Sequence, residues 1–231
     1  MDIYEGNTPI GSVKQYTGVP HQNSITYNIS EKVSDDIRGY LVFNGVWTFC
    51  KKNQISQPKD YKKLALILES PHKDEYRING ILHKTSTGLL IPQRPANGFA
   101  GEQIDNFIQN RPWINGLLNT SDVYEVFIMN AIQYQCSAFD YIQGLNKFVR
   151  TLTDAVFLEM WNYRTNGAHY PFQDDFVNRI QKYSPDVIIN ACTKGKVKPS
   201  LQIRVESLII NMASKYDTDD HPANPGIFRW R

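Results

Sequence analysis

The apolar run at residues 64–68 constrains the fold of this chain more than any other segment. It is too short to form a helix of its own and it follows Lys62 and Lys63, so it predicts a strand buried on both faces. Two similar runs follow at residues 123–129 and 186–191. Two short helices split by Pro112 are expected between the first and second runs, at residues 103–109 and 113–118, and the segment between the second and third runs has helical apolar spacing. Strands that alternate with helices predict an α/β fold, here a three-layer α/β/α arrangement around a central, mainly parallel sheet.

Helices are predicted where apolar residues recur every three or four positions. This spacing predicts two helices within residues 138–162, one over residues 172–183 and one over residues 199–214. The last two flank the third predicted strand, as expected for a chain that alternates strands and helices.

The amino-terminal part of the chain has a different character. Residues 1–38 are polar and rich in turn-forming residues, which predicts an irregular arm or an extended cap over the core. Asn44 and Gly45 then separate two apolar runs and predict a β-hairpin with a two-residue type I′ turn. We therefore expect residues 1–60 to form an arm and hairpin that pack on an α/β domain of residues 61–231, together making one compact domain.

The composition limits the compartments and partners to be considered. The 231 residues, 41% of them hydrophobic, are enough for one well-buried core. A net charge of +2 leaves any DNA contact to local basic patches. Three cysteines without CxxC spacing argue against a disulfide framework and indicate a reducing compartment. The chain shows no leader and no apolar run of about 18 residues, so we expect a cytoplasmic protein without membrane contact.

Three polar residues are candidates for a site. Glu69 and Asn130 end the first two predicted strands, and His221 lies in the tail. In an open α/β sheet, ligands bind in the crevice beyond the carboxyl ends of the strands. Each residue alone has a common structural explanation, because turns and strand ends often carry such side chains.

Two further groups of polar residues are less specific. Lys194 and Lys196 lie in a predicted loop after the third strand, where they are either solvated or in contact with phosphate. His72, Asp74 and His83 have no spacing typical of a zinc site. A metal hydrolase is therefore the least favoured interpretation, and we expect no metal.

Five short segments, taken in chain order, give the chain a resemblance to a known family. They are LESPH at 68–72, RPANGFAG at 94–101, VFIMNAIQY at 126–134, SPDVIINAC at 184–192 and HPANP at 221–225. With these segments the chain resembles the uracil-DNA glycosylase superfamily, and most closely its bacterial and archaeal branch with a GEAPG first motif. The resemblance covers about residues 62–231 and implies the α/β/α fold of that superfamily.

The resemblance implies a role for each of the three polar residues. Glu69, by its match to the first motif, would stabilise the positively charged sugar and orient or deprotonate water. His221 would donate a hydrogen bond to the departing, negatively charged base. Asn130 would pair with the Watson–Crick edge of a flipped pyrimidine.

The implied partner is DNA, double-stranded and with the target base flipped out, bound by a monomer. Ser70 follows Glu69 in the first segment and is expected to contact the substrate. The residues expected to contact DNA are Arg94, Lys194, Lys196, Asn224 and Arg229.

The chain departs from the family pattern at two positions beside the base. In the second family motif, RPF-x-G, an aromatic ring stacks on the flipped base, but this chain has Ala96 there. The missing ring predicts space for a larger, 5-substituted pyrimidine, unless Phe99 supplies the stacking surface instead. His72 stands where the first motif has glycine, so it is expected either to contact the substrate or to face solvent.

The cysteines also depart from the pattern. The GEAPG branch usually carries four cysteines that hold an iron–sulfur cluster, and this chain has three, without the amino-terminal pair. We therefore expect no cluster and no other cofactor.

These observations predict a monofunctional DNA glycosylase that excises a modified pyrimidine and leaves an abasic site. The favoured substrate is a bulky 5-modified cytosine such as glucosylated hydroxymethylcytosine in phage DNA, which would serve antiviral defence. The alternatives are a uracil-DNA glycosylase of base-excision repair and an inactive module that binds modified DNA. Retention of Glu69 argues against the inactive module, because binding alone needs no carboxylate to orient water.

Overall fold

A computed structural model gives the fold of most of the chain. It describes residues 2–5, 8–12, 26–28, 32–51, 53–55, 60–71, 73–83, 85–86, 91–96, 101, 103–104, 114–134, 136, 150–165 and 169–218.

The described residues form strands, helices and one 3₁₀ turn, here numbered in chain order. The strands are β1 (Asp2–Glu5), β2 (Thr8–Ser12), β3 (Thr26–Asn28), β4 (Asp36–Phe43), β5 (Trp47–Cys50), β6 (Lys62–Leu68), β7 (Arg77–Ile78), β8 (Ile81–Leu82), β9 (Tyr124–Asn130), β10 (Val187–Asn190) and β11 (Lys215–Thr218). The helices are α1 (Ile114–Leu117), α2 (Arg150–Trp161), α3 (Pro171–Tyr183) and α4 (Leu201–Ile209), and the 3₁₀ turn is Lys73–Tyr76. None of these helices is long and apolar enough to cross a membrane.

A mixed, six-stranded sheet organises the described chain, with the strand order β11-β10-β6-β9-β4-β5. The first four strands in this order are parallel to one another. Strand β4 is antiparallel to its neighbour β9, and β5 is antiparallel to β4. The mixed α/β class is therefore as predicted, and so are the three apolar strands β6, β9 and β10. Strand β11 was not predicted.

The central strands are buried because both faces of the sheet are covered. Successive residues of a strand point to opposite faces, so the two faces bury alternate residues of β6. Ala65 and Ile67 pack in a cluster with residues of α2, α3 and α4. Leu64, Leu66 and Leu68 pack in a second cluster, whose other members include Leu41, Trp47, Ala96, Ile104 and Leu118.

The predicted hairpin is present, but the prediction of its turn was wrong. Phe43 pairs directly with Trp47, so the loop has three residues rather than two. Gly45 has a positive φ of 84°, whereas a type I′ turn needs positive φ at both central residues, and Asn44 does not have it. Through β4, which pairs with β9, the hairpin belongs to the same sheet as the core strands.

The prediction of an irregular arm at residues 1–38 was wrong for part of this segment. Strands β1, β2 and β3 form a small sheet of their own, and β2 lies against α2. The last residues of the segment begin β4.

The helix predictions are confirmed within the described residues, with one difference in length. Helix α3 begins with Pro171 and ends before Ser184, which has a left-handed φ of 47°. It buries Phe172, Phe176 and Ile180 at helical spacing. Helix α4 ends before residue 214 because the chain turns there into β11. Helix α2 is the second of the two helices predicted within residues 138–162, and the first lies outside the described residues.

Candidate functional site

The carboxyl ends of four parallel strands meet at one edge of the central sheet. Leu68 pairs with Asn130, so Glu69 follows β6 directly beside the end of β9. The hydrogen bonding continues past the strands, since Ala131 N–H donates to the Leu68 carbonyl at 2.8 Å and Ile132 N–H donates to the Glu69 carbonyl at 3.1 Å. The backbone thus fixes Glu69 and Asn130 next to each other at the ends of adjacent strands.

Both side chains are shielded from solvent at this edge. Glu69 is 4% exposed and Asn130 is 1% exposed. Burial of a carboxyl group or an amide is unfavourable unless it is hydrogen-bonded or serves a ligand. Ser70, the next residue, is partly buried.

A second buried acidic residue, Glu75, completes this cluster. It lies in the 3₁₀ turn and is 3% exposed. Asn130 Nδ2 donates to Glu75 Oε2 at 3.3 Å, and Gln93 N–H donates to the Glu75 carbonyl at 2.9 Å. Sequence reasoning missed Glu75, because KDE in a turn usually indicates a solvated segment and the partner of Glu75 lies 55 residues away.

The oxygen of the Asn130 amide has no hydrogen-bond partner among the described residues, although it is buried. Asn190, at the end of β10, makes an instructive comparison. Its Nδ2 donates to the Gln202 carbonyl at 3.0 Å and to the Tyr216 hydroxyl at 3.1 Å, and its Oδ1 accepts from Cys192 N–H at 3.2 Å. The Asn190 amide is hydrogen-bonded through both its nitrogen and its oxygen, whereas the Asn130 oxygen has no partner among the residues described.

Arg179 of α3 anchors the end of β9 from the other side. Its Nη2 donates to the carbonyls of Asn130 at 3.0 Å and Ala131 at 3.3 Å. Its Nη1 donates to Asp35 Oδ1 at 2.8 Å, and its Nε donates to Asp175 Oδ2 at 2.9 Å. One guanidinium group therefore joins α3, the segment before β4 and the backbone that carries Asn130.

The pKa of Asp35 is raised above its ordinary value of 3.8, chiefly by burial. The positive charge of Arg179 and its hydrogen bond oppose this shift without cancelling it. The carboxyl group of Asp35 is thus poorly solvated, and its charge depends on Arg179.

Ala96 lies in the apolar core beside this edge. It is 2% exposed, belongs to the cluster that contains Leu68 and Ala191, and has a left-handed φ of 51°. Gly101 packs so closely that a side chain there would overlap the Ala96 carbonyl. Arg38 Nη2 donates a hydrogen bond to the Gly101 carbonyl at 2.7 Å.

The predicted DNA-contacting residues that are described have exposed side chains. Lys194 and Lys196 lie in the loop that follows β10. This loop begins at the same edge of the sheet as Glu69, because β10 and β6 are parallel. Lys196 N–H donates to the buried Asp154 Oδ2 at 2.6 Å, and Gly195 has a φ of 69°. This loop is therefore held to α2 while its lysine side chains face solvent. Arg94 is also exposed.

Five predicted site residues lie outside the described residues: His72, Phe99, His221, Asn224 and Arg229. Strand β11 ends at Thr218, three positions before His221 in the sequence, and this strand end lies at the same edge of the sheet.

The described residues contain no group of three or more His, Cys, Asp or Glu side chains that could hold a metal ion. No protein-family model, curated protein or solved structure matches the chain, so the resemblance to a family stays an inference from its motifs.

Proposed function

We propose that the protein is a monofunctional DNA glycosylase that flips out a modified pyrimidine and hydrolyses its N-glycosidic bond. The observation that supports this most is the pairing of two buried polar side chains, Glu69 and Asn130, at the ends of adjacent strands. The Asn130 oxygen has no hydrogen-bond partner in the part of the chain that the structure describes, and such a buried acceptor is explained by a ligand that donates to it.

The chemistry assigns different tasks to these side chains. Water adds to the sugar carbon as its bond to the base breaks, and the base leaves with the bonding electron pair. Glu69 would stabilise the positive charge on the sugar and accept a proton from the water. Asn130 would bind the flipped base, and His221 would donate to the charge that develops on it.

The proposed fold family is the three-layer α/β/α arrangement of the uracil-DNA glycosylases. The two apolar clusters on opposite faces of the sheet support the layered arrangement. The order of the five segments in the sequence supports the family.

The proposed substrate is a bulky 5-modified cytosine, such as glucosylated hydroxymethylcytosine of phage DNA, excised in antiviral defence. Its support is the absence of a stacking ring at Ala96. Uracil is a second candidate because the Ala96 side chain packs in the core, and a small residue there need not enlarge the base pocket.

The direct test is incubation of the protein with DNA duplexes that carry uracil, hydroxymethylcytosine or its glucosylated form, followed by quantification of abasic sites. Glu69→Gln protein and an unmodified duplex serve as controls. Abasic sites with one of the modified duplexes are expected. Tight binding without abasic sites in any duplex would contradict the proposal and favour an inactive binding module.

A further inference from the structure

We infer that Glu75 is a specificity-determining residue of this site, because it fixes which end of the Asn130 amide faces the flipped base. This inference rests on the proposed function. Glu75 accepts a hydrogen bond from the nitrogen of the Asn130 amide. Asn130 therefore presents its oxygen to the ligand, and this oxygen selects between uracil-type and cytosine-type bases.

The orientation follows from the hydrogen-bonding capacity of the two groups. A carboxylate only accepts hydrogen bonds, so the nitrogen of the Asn130 amide has to face Glu75. The Nδ2 to Oε2 distance is 3.3 Å, and both residues are at least nine-tenths buried. The two orientations of an amide have nearly the same shape, so only the hydrogen bonds around the amide distinguish them. Without Glu75, both orientations of Asn130 would be open.

The group that Asn130 offers to a ligand is then its amide oxygen, a hydrogen-bond acceptor. Asn130 Oδ1 is buried and has no partner among the described residues, so a ligand that binds without donating to it leaves an acceptor unsatisfied. Uracil-type bases have a donor at N3 and an acceptor at O4, whereas cytosine-type bases have an acceptor at N3 and a donor at N4. The donor and the acceptor are exchanged between these two base types. If the base and the Asn130 amide each keep one orientation, the amide pairs well with only one type.

The test compares two isosteric changes of buried glutamates, one in the 3₁₀ turn beside Asn130 and one within β9 itself. Glu75→Gln replaces the carboxylate by an amide, which can pair with Asn130 in either orientation. Glu125→Gln is the matched control, since Glu125 is 7% exposed and accepts from the Tyr40 hydroxyl at 3.3 Å. Glu125 pairs with Lys63, near the opposite edge of the sheet from the site.

The first readout is the ratio of kcat/KM for two duplexes whose target bases share a 5-substituent and differ only as uracil-type or cytosine-type. We expect the wild type and Glu125→Gln to prefer one base about 100-fold or more, as sites built on buried hydrogen bonds do. Glu75→Gln should lower this preference below about tenfold. An unchanged preference in Glu75→Gln would overturn the inference.

The second readout does not require activity. In ¹⁵N NMR spectra, the Asn130 side-chain amide, identified by its loss in Asn130→Ala, should shift in Glu75→Gln and not in Glu125→Gln. An unshifted amide signal overturns the inference whatever the activity. If the signal shifts but the wild type releases no base, the proposed function fails and Glu75 is only a structural partner of Asn130.

Discussion

Glu69 tests the proposed chemistry at the scale of one residue. Glu69→Gln keeps the shape of the side chain but removes the oxygen that would accept a proton and stabilise positive charge. We expect base release to be abolished while DNA binding and thermal stability stay close to wild type. Single-turnover rates measure this effect. A variant that kept more than about a tenth of the rate, a loss under about 1.4 kcal/mol, would exclude Glu69 from the chemical step.

Ala96 tests whether its small side chain enlarges the base pocket. Because Ala96 is buried and has a positive φ, Ala96→Phe should lower the free energy of unfolding by about 1–3 kcal/mol through overpacking. Ala96→Gly should be nearly neutral, since relief of about 1 kcal/mol of backbone strain offsets the lost methyl group. Urea unfolding gives both values. A stable Ala96→Phe protein whose activity moved from the glucosylated base to uracil would instead place residue 96 in the base pocket.

Asn130 and Asn190 are the same residue type at equivalent strand ends and should respond differently to alanine. Asn190→Ala removes three hydrogen bonds, those to the Gln202 carbonyl, the Tyr216 hydroxyl and the Cys192 N–H, and each contributes about 0.5–1.5 kcal/mol to stability. Asn130→Ala removes one hydrogen bond, that to Glu75 Oε2, together with an oxygen that has no partner among the described residues, so its loss of stability should be smaller, while base release should stop. Unfolding in urea and an abasic-site assay of both variants check this. Equal losses of stability would contradict the distinction.

At the scale of elements, the contact of α3 with the segment before β4 should make stability depend on pH. The raised pKa of Asp35 means that the folded protein holds more protons at this residue than the unfolded chain, between pH 3.8 and the folded pKa. The Asp35 contribution to the free energy of unfolding therefore falls as pH rises through that window. Asp35→Asn should remove this fall.

Urea unfolding of the wild type and Asp35→Asn at a series of pH values from 3.8 upward measures the difference. The exposed Asp60→Asn serves as a control for the loss of one carboxyl group. Wild-type and Asp35→Asn curves that run parallel through the window would show that Arg179 compensates the burial of Asp35 completely.

The elements also show what the sequence could predict. Strands β6, β9 and β10 were predictable because burial on both faces leaves a continuous apolar run. Strand β11 reads KYDT, which carries no such signal, and it is a strand because it pairs with β10 at the edge of the sheet. The strand-end placement of Glu69 and Asn130 was predictable from their position after apolar runs. The contact with Glu75 was not, since it depends on tertiary packing.

At the scale of the whole molecule, β4 and β5 complete the sheet that carries the site. Strand β4 pairs with β9 from Leu41 opposite Tyr124 to Asp36 opposite Ile128. A protein that lacks residues 1–50 loses this pairing and also Asp35, so we expect it to aggregate or unfold without cooperativity. A protein that lacks only residues 1–31 keeps both and should fold.

Size-exclusion chromatography and thermal unfolding followed by circular dichroism distinguish these outcomes. A monomeric protein of residues 51–231 with a sharp unfolding transition would show that the hairpin is dispensable.

The central position of β6 has a consequence during synthesis. Its neighbours in the sheet are encoded far downstream, with Leu64 opposite Val126 on one side and Val187 on the other. At about 5–20 residues per second, a ribosome needs roughly 6 to 24 s to reach β10 after β6 has been made. During that time an apolar run with unpaired edges is open to pairing with other chains. Lys62, Lys63 and Glu69 flank this run, and charges placed on either side of an apolar strand disfavour such pairing.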